Sequence, residues 1–231
     1  MPPPLSIIIP VLDEEASIEA TLGALAPCRA RGAQVIVADG GSRDRTRALA
    51  APLCDLLIDA PRGRAAQMNA GARAAAGDVL LFLHADTLLP ASAMDAIAGL
   101  AASRREWGRF DVAIDGAHPM LAVVALFMNA RSRLTGIATG DQALFATHAA
   151  FEASGGFPAI PLMEDVALCK ALKRRSRPLC LRERVVTSGR RWEAHGTLRT
   201  IVLMWRLRLA YALGADPHRL ARRYDVERAA R

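Results

Sequence analysis

Acidic side chains gather at four places in this sequence: Asp13-Glu14-Glu15, Asp39 with Ser42 and Asp44, His84-Ala85-Asp86, and Glu164-Asp165. The first three each follow directly on a short apolar or β-branched run, Leu5-Ser6-Ile7-Ile8-Ile9, Gln34 to Ala38 and Val79 to Leu83. One acid after a strand is commonly a helix cap, and Ser42 or Asp44 fits that role. Three acidic clusters at equivalent strand ends point to a shared site. An acidic loop suits the base or ribose of a nucleoside, whose donors it can accept, and does not suit a bare phosphate.

The elements that must carry these residues follow from periodicity. Between the runs lie helical patterns over Glu15 to Arg31, closed by Gly32, over Arg43 to Ala51, and over Arg64 to Ala76, stopped by Gly77, with a further strand at Leu56-Leu57-Ile58. The order is βαβαβαβ. Continuous apolar strands alternating with helices imply an α/β fold with a mostly parallel central sheet covered on both faces, whose ligands bind at the carboxyl ends of the strands. The chemistry is therefore expected beyond Ile9, Ala38 and Leu83. Further on, Gly155-Gly156-Phe157-Pro158 predicts a turn before a helix over Val166 to Lys173, which Asp165 opens.

The loop after the first strand also excludes classes. A dinucleotide-binding site of the Rossmann type needs glycines there, and the chain has Pro10-Val11-Leu12-Asp13-Glu14. A P-loop is missing, and so is the glycine-rich loop of sugar nucleotidyltransferases. A phosphatase of the haloacid type needs a second Asp two residues after its nucleophile, whereas Asp13 is followed by Glu14-Glu15.

Taken in order, Ile7-Ile8-Ile9-Pro10-Val11-Leu12-Asp13-Glu14, Ala38-Asp39-Gly40-Gly41-Ser42, His84-Ala85-Asp86 and Glu164-Asp165 resemble the signature of family-2 glycosyltransferases with the GT-A fold. The resemblance spans roughly residues 5 to 192, and the wording of the motifs is most similar to the bacterial rSAM/selenodomain-associated transferases. It implies a nucleotide-sugar donor, UDP- or GDP-linked, with Pro10, Leu12, Glu14 and Asp39 around the nucleoside, and Arg64, Asn69, Ala85 and Asp86 on the rest of the donor. By the same resemblance Asp86 stands where the last aspartate of a DxD motif holds a divalent metal, Mn²⁺ or Mg²⁺, on the diphosphate, and Asp165, beside Glu164, stands as the base of an inverting transfer.

The chemistry of glycosyl transfer calls for such residues. Breaking the anomeric C–O bond builds negative charge on the leaving diphosphate, which a hard cation on oxygen ligands stabilises as a Lewis acid. A carboxylate on the opposite face takes the acceptor proton and contributes roughly 10²–10⁴-fold. Two positions depart from the common pattern. His84 stands where DxD has an acid, removing one hard ligand and favouring Mn²⁺ over Mg²⁺ if it coordinates. Met68 stands where relatives carry an arginine before the asparagine, and Arg64, one helical turn away, is expected to replace it. Asp141 and Gln142 are expected to shape the acceptor pocket. Arg191-Trp192 matches the end of a QxxRW loop whose glutamine is here Ser188.

Length and composition frame the rest. The 231 residues, 52% hydrophobic, with no linker, imply a single domain: a nucleotide-sugar half over 5–115, an acceptor half over 116–192 and a C-terminal amphipathic helix with a basic tail over 193–231. Four scattered cysteines and an N-terminus without a secretory signal fit a cytoplasmic setting. A net charge of +7 with only 5% aromatics, not interleaved with the arginines, argues against nucleic acid as partner. The apolar run from Pro119 to Met128 is too short to span a bilayer and is expected as a buried helix. From Leu198 to Leu213 the apolar residues recur at helical spacing beside Arg199 and Arg206, an amphipathic helix able to pack on the domain or touch a membrane surface. A nucleotidyltransferase, or a non-catalytic nucleotide-sugar-binding protein, on the same fold is the alternative, and the Glu164-Asp165 pair speaks against both.

Overall fold

The computed structural model describes residues 5–190, 192 and 196–229. Its centre is β1 (Leu5–Val11), in which all seven residues are buried. It lies between β2 (Gln34–Asp39) and β4 (Val79–Phe82), parallel to both, with Ile8 level with Ile36 on one side and Phe82 on the other. With β3 (Leu56–Asp59) parallel to β2, this is the parallel half expected from the alternating pattern. Pro10, expected to end the first strand, lies within it. Pairing with β4 stops at Ile8, so the ring removes no donor from that ladder.

The second half is where a mostly parallel sheet gives way to a mixed one. The strands β5 (Thr87–Leu88), β6 (Trp107–Asp115), β7 (Phe145–Thr147) and β8 (Leu179–Ser188) extend the sheet to the order β3-β2-β1-β4-β7-β6-β8-β5. β7 runs antiparallel to β4 and β6, and β5 antiparallel to β8, while β6 and β8 are parallel. The three residues of β7 are too few to carry a readable period.

Alternation along the strands splits the core into two layers. Ile7, Ile9, Val35, Val37 and Leu81 face α1 (Ile18–Ala24), α2 (Ala26–Ala30) and α5 (Ala93–Ala102). Ile8, Ile36, Leu80 and Phe82 face α4 (Arg64–Ala74), α7 (His148–Ala153) and α8 (Glu164–Lys173). Gly71 lets α4 cross β1, because a Cβ there would run into the Ile8 side chain. The helix expected over Glu15 to Arg31 is broken in two at Leu25, with Pro27 at the start of α2, where its missing N–H costs nothing. α3 is only Thr46–Ala50, since the residues before it serve the loop instead.

Two expectations about apolar helices are also revised. α6 (Met120–Thr135) continues through Asn129 and Arg131, and is not wholly buried: Leu126 and Phe127 face outward. α9 (Thr197–Ala212) and α10 (Pro217–Ala229) form a C-terminal pair that packs Leu207 and Leu220 against Met163 and Val166, at the start of α8. Among the described residues, no helix is long and apolar enough to cross a membrane.

Candidate active site

The loops after β1 and β2 are knitted together by their own acids. The Asp13 carboxylate accepts from Arg43 N at 2.7 Å and Asp13 N donates to Ser42 Oγ at 3.0 Å. Asp44 accepts from Glu15 N, and Glu15 accepts from Arg45 N. Much of the acidity seen in sequence is thus spent on loop structure. The side chain of Gln67 clasps both strand ends, its Nε2 donating to Val11 O at 2.6 Å and Ala38 O at 2.9 Å. Asp39 lies buried beneath this clasp and accepts from Gly41 N, Ser42 N, Ser42 Oγ and Arg47 Nη1. Burial would raise its pKa, but the Ser42 and Arg47 hydrogen bonds and the backbone N–H groups together hold it below the ordinary carboxylate value.

Three loops meet at a guanidinium that sequence reasoning passed over. Arg190, just beyond β8, donates from Nη2 to Glu14 Oε2 at 2.7 Å and lies 3.3 Å from Asp86 Oδ2. The ends of β1, β4 and β8 therefore converge on one charge cluster, with Asp86 and Glu14 as its acidic half. Its neighbour in sequence, Arg191, lies outside the described residues; Trp192 is half-buried and donates its N–H to Gly189 O. The signal for Arg190 is the Arg190-Arg191-Trp192 string itself, of which only the Arg191-Trp192 end matches the QxxRW loop.

His84 turns away from Asp86. Its Nδ1 is 3.2 Å from Asp141 Oδ1, and Gly140 lies so close to the ring that a Cβ would strike its Nε2. Among the described residues no three His, Cys, Asp or Glu side chains converge on one point. A metal bound mainly by substrate phosphates needs only one or two protein carboxylates, however, and Asp86 supplies one. The guanidinium already seated on Asp86 and Glu14 shows that this spot accepts positive charge, so the residues present fit a divalent cation held by Asp86.

Beyond His84 opens a small pocket lined by Arg64, Met68, Phe82, His84, Gly140, Leu144, Phe157, Glu164 and Asp165. α8 begins here after Met163 in the left-handed region (φ 70°), with no side-chain cap. Asp165 is not the N-cap. It sits one residue into the helix, accepting from Val166 N at 2.7 Å through Oδ1 and from Gly140 N at 3.0 Å through Oδ2. Its pKa is nevertheless raised, by burial first and then by the charge of Asp141, against those two backbone donors. Glu164 is raised to about 7 by burial and by Asp165. Arg64, exposed at the first turn of α4, lies among Glu164, Asp141 and Asp165, whose negative charges raise its pKa and hold it protonated. On the far side, Arg131 of α6 lies within the influence of Asp165, with Nε and Nη2 buried and unpartnered, and Tyr211 of α9 feels the same carboxylate.

The structure thus gathers Glu14, His84 and Asp86 from strand ends with Arg64, Asp141, Glu164 and Asp165 from the starts of helices and turns. Others of the expected set also carry structure. The side chain of Asn69 is bonded to Phe157 at both ends, Nδ2 donating to its O at 2.8 Å and Oδ1 accepting from its N at 3.0 Å, which fixes the turn ahead of α8. Gln142 is wholly buried and donates to Ser132 Oγ and Asn129 Oδ1. Ala85 packs in the core while its carbonyl accepts from Thr21 Oγ1, and Pro10 is a buried strand residue; Leu12 is half-buried at the loop.

A sheet of this order, with acids at the ends of β1, β2 and β4 facing a carboxylate at the start of α8, defines the GT-A class of nucleotide-diphosphosugar transferases. Residues 6–120 match the model described as Glycosyl transferase family 2, so this half of the chain is a domain of that family. Solved structures agree in fold. The mannosyltransferase PcManGT from Pyrobaculum calidifontis, in complex with GDP-Man and Mn²⁺, superposes with a TM-score of 0.66 at 22% identity, over 91% of this chain and 61% of its own. TarS 1–349 from S. aureus with UDP-GlcNAc gives 0.64 at 19%, over 80% and 58%. Glucosyl-3-phosphoglycerate synthase from Mycobacterium tuberculosis, with Mn²⁺, UDP and glucosyl-3-phosphoglycerate, gives 0.59 at 17%, over 80% and 71%. The chain spans about three fifths of the length of the first two. No curated protein matches it in sequence.

Proposed function

We propose that the chain is an inverting glycosyltransferase that passes a sugar from a nucleotide-diphosphate donor to an acceptor hydroxyl, with Asp165 as the base. The observation that carries this reading is the pairing of Asp165, at the pocket beside His84 and Arg64, with Asp86 two residues beyond His84 at the end of β4. One carboxylate faces the space where an acceptor would enter, and the other lies at the Arg190 charge cluster, where a metal-bound diphosphate would leave. GDP and UDP are the nucleotides bound to the structural neighbours, which supports a purine or pyrimidine diphosphate sugar here. The motif wording supports placement in the rSAM/selenodomain-associated branch.

Each residue then has a physical task. Glu14 and Leu12 offer the acidic and apolar rim for the nucleoside, Asp39 lies buried beneath the loop it braces, and Gln67 holds the strand ends in register. A divalent metal held by Asp86 would supply Lewis-acid stabilisation of the departing diphosphate. Arg190 adds positive charge on that side, and Arg64 does so at the pocket of Asp165. Asp165, raised in pKa by burial, is a stronger proton acceptor than a surface aspartate when ionised, and Gly140 N and Val166 N keep it oriented. The halves proposed from sequence, 5–115 for the donor and 116–192 for the acceptor, assign Asp86 to the first and Asp165 to the second.

The test is a screen of nucleotide sugars for thermal stabilisation with and without Mn²⁺, since a ligand at 100 times its dissociation constant adds about 2.7 kcal/mol. With the donor identified, Asp165→Asn is expected to keep donor binding and lose roughly 10²–10⁴-fold in transfer. Asp86→Ala is expected to abolish the metal-dependent part of donor binding. Full transfer by Asp165→Asn would overturn the assignment of the base.

A further inference from the structure

The C-terminal pair of helices leaves a surface that the packing of the domain does not use. On α9, Leu198, Val202, Trp205, Leu209 and the following Leu213 recur every three or four residues and are all exposed, Trp205 to 66% and Leu213 to 79%. These are not the residues that hold α9 in place. Leu203, Met204, Leu207 and Tyr211 face inward, against Met163, Val166 and Leu220. α9 therefore carries two apolar faces, of which one is spare.

α6, which touches α9, has the same property. Val123, Leu126, Phe127 and Leu134 lie at helical spacing and are exposed, Leu134 to 87%. Nine of the twelve large exposed hydrophobics among the described residues fall on these two stripes, a concentration that scattered surface residues do not produce.

Charge decides between the occupants. Neither α6 nor α9 contains an aspartate or glutamate. Arg199 and Arg206 are exposed beside the α9 stripe, with Arg219, Arg222 and Arg223 exposed on α10, and none of the five forms an ion pair among the described residues. A second copy of the chain would bring arginine against arginine across a symmetric contact. A bilayer rich in anionic headgroups meets both needs at once, taking the aliphatic and indole side chains at its boundary and the guanidinium groups at its phosphates.

We propose that the α6–α9 face docks on an anionic membrane surface, lying in its plane without crossing it. The inference stands apart from the transferase reading, because vesicle binding requires neither donor nor acceptor. It is tested by flotation of the full chain with phosphatidylcholine vesicles, with and without phosphatidylglycerol, at low and high salt. Expected is capture by the phosphatidylglycerol vesicles alone, weakened at high salt, with a blue shift of tryptophan emission. The double substitution Trp205→Ser and Leu209→Gln should cut binding at least tenfold at unchanged circular dichroism. The pair Arg199→Gln and Arg206→Gln, which leaves the apolar stripe intact, should remove the preference for anionic lipid. Absence of flotation with either vesicle overturns the proposal. So does a dimer in sedimentation equilibrium that dissociates on the Trp205 and Leu209 substitutions while vesicles fail to bind.

Discussion

Arg190 governs the charge balance around Asp86 at the scale of single side chains. Its guanidinium reaches Glu14 Oε2 at 2.7 Å and Asp86 Oδ2 at 3.3 Å from the same nitrogen, so it competes with any cation that Asp86 would hold. Arg190 is half-exposed, which weakens the competition: unit charges ~4 Å apart in water interact by only ~1 kcal/mol. Arg190→Gln is therefore expected to bind Mn²⁺ about fivefold to tenfold more tightly without nucleotide, read by the loss of the free-ion electron paramagnetic resonance signal. Unchanged or weaker Mn²⁺ binding would show that Arg190 and the metal do not share Asp86. The acids at strand ends could be found in sequence because residue type and position coincide there. Arg190 could not, since nothing in the Arg190-Arg191-Trp192 string says which side chain reaches Glu14 and Asp86; that depends on the turn after β8.

At the scale of elements, the start of α8 depends on a contact across the sheet that no local pattern reveals. Asn69 of α4 and Phe157 of the preceding turn are 88 residues apart, yet the amide closes a two-way hydrogen bond with the Phe157 backbone. The motif assigns Asn69 to the donor helix, and in the folded chain its amide is also engaged by the Phe157 backbone. The parallel half of the sheet was legible, because β1, β2 and β4 are continuous apolar runs whose buried residues alternate between two layers. The antiparallel half was not, because β5 and β7 are two and three residues long and their direction is set by neighbours. Asn69→Ala leaves a backbone donor and acceptor without partners, and is expected to lower stability by about 1–3 kcal/mol in urea unfolding. Because the turn it holds leads into Glu164-Asp165, kcat should fall by more than donor affinity does. Equal losses in kcat and donor binding would place Asn69 on the donor instead.

Across the whole molecule, the acids at the start of α8 tie global stability to pH with a sign opposite to that of most surface carboxylates. Burial and the neighbouring Asp165 raise Glu164 from 4.5 to about 7 in the folded chain, and Asp165 is raised as well. Between those values the folded protein holds a proton that the unfolded chain has released. Stability is then fully present below pH 4.5 and declines as pH rises towards 7, where ionising Glu164 costs on the order of 3 kcal/mol at ~1.4 kcal/mol per pKa unit. Asp39, held low by its hydrogen bonds, contributes in the other direction and only at more acidic pH. The stability that Glu164→Gln gains over the parent between pH 5 and pH 8 should therefore approach that figure, measured by urea unfolding at both values. Transfer activity should rise with pH as Asp165, itself raised by burial, ionises. A variant whose stability difference from the parent is flat between pH 5 and pH 8 would mean that Glu164 is already ionised at the lower value, and that the pocket is wetter than its lining implies.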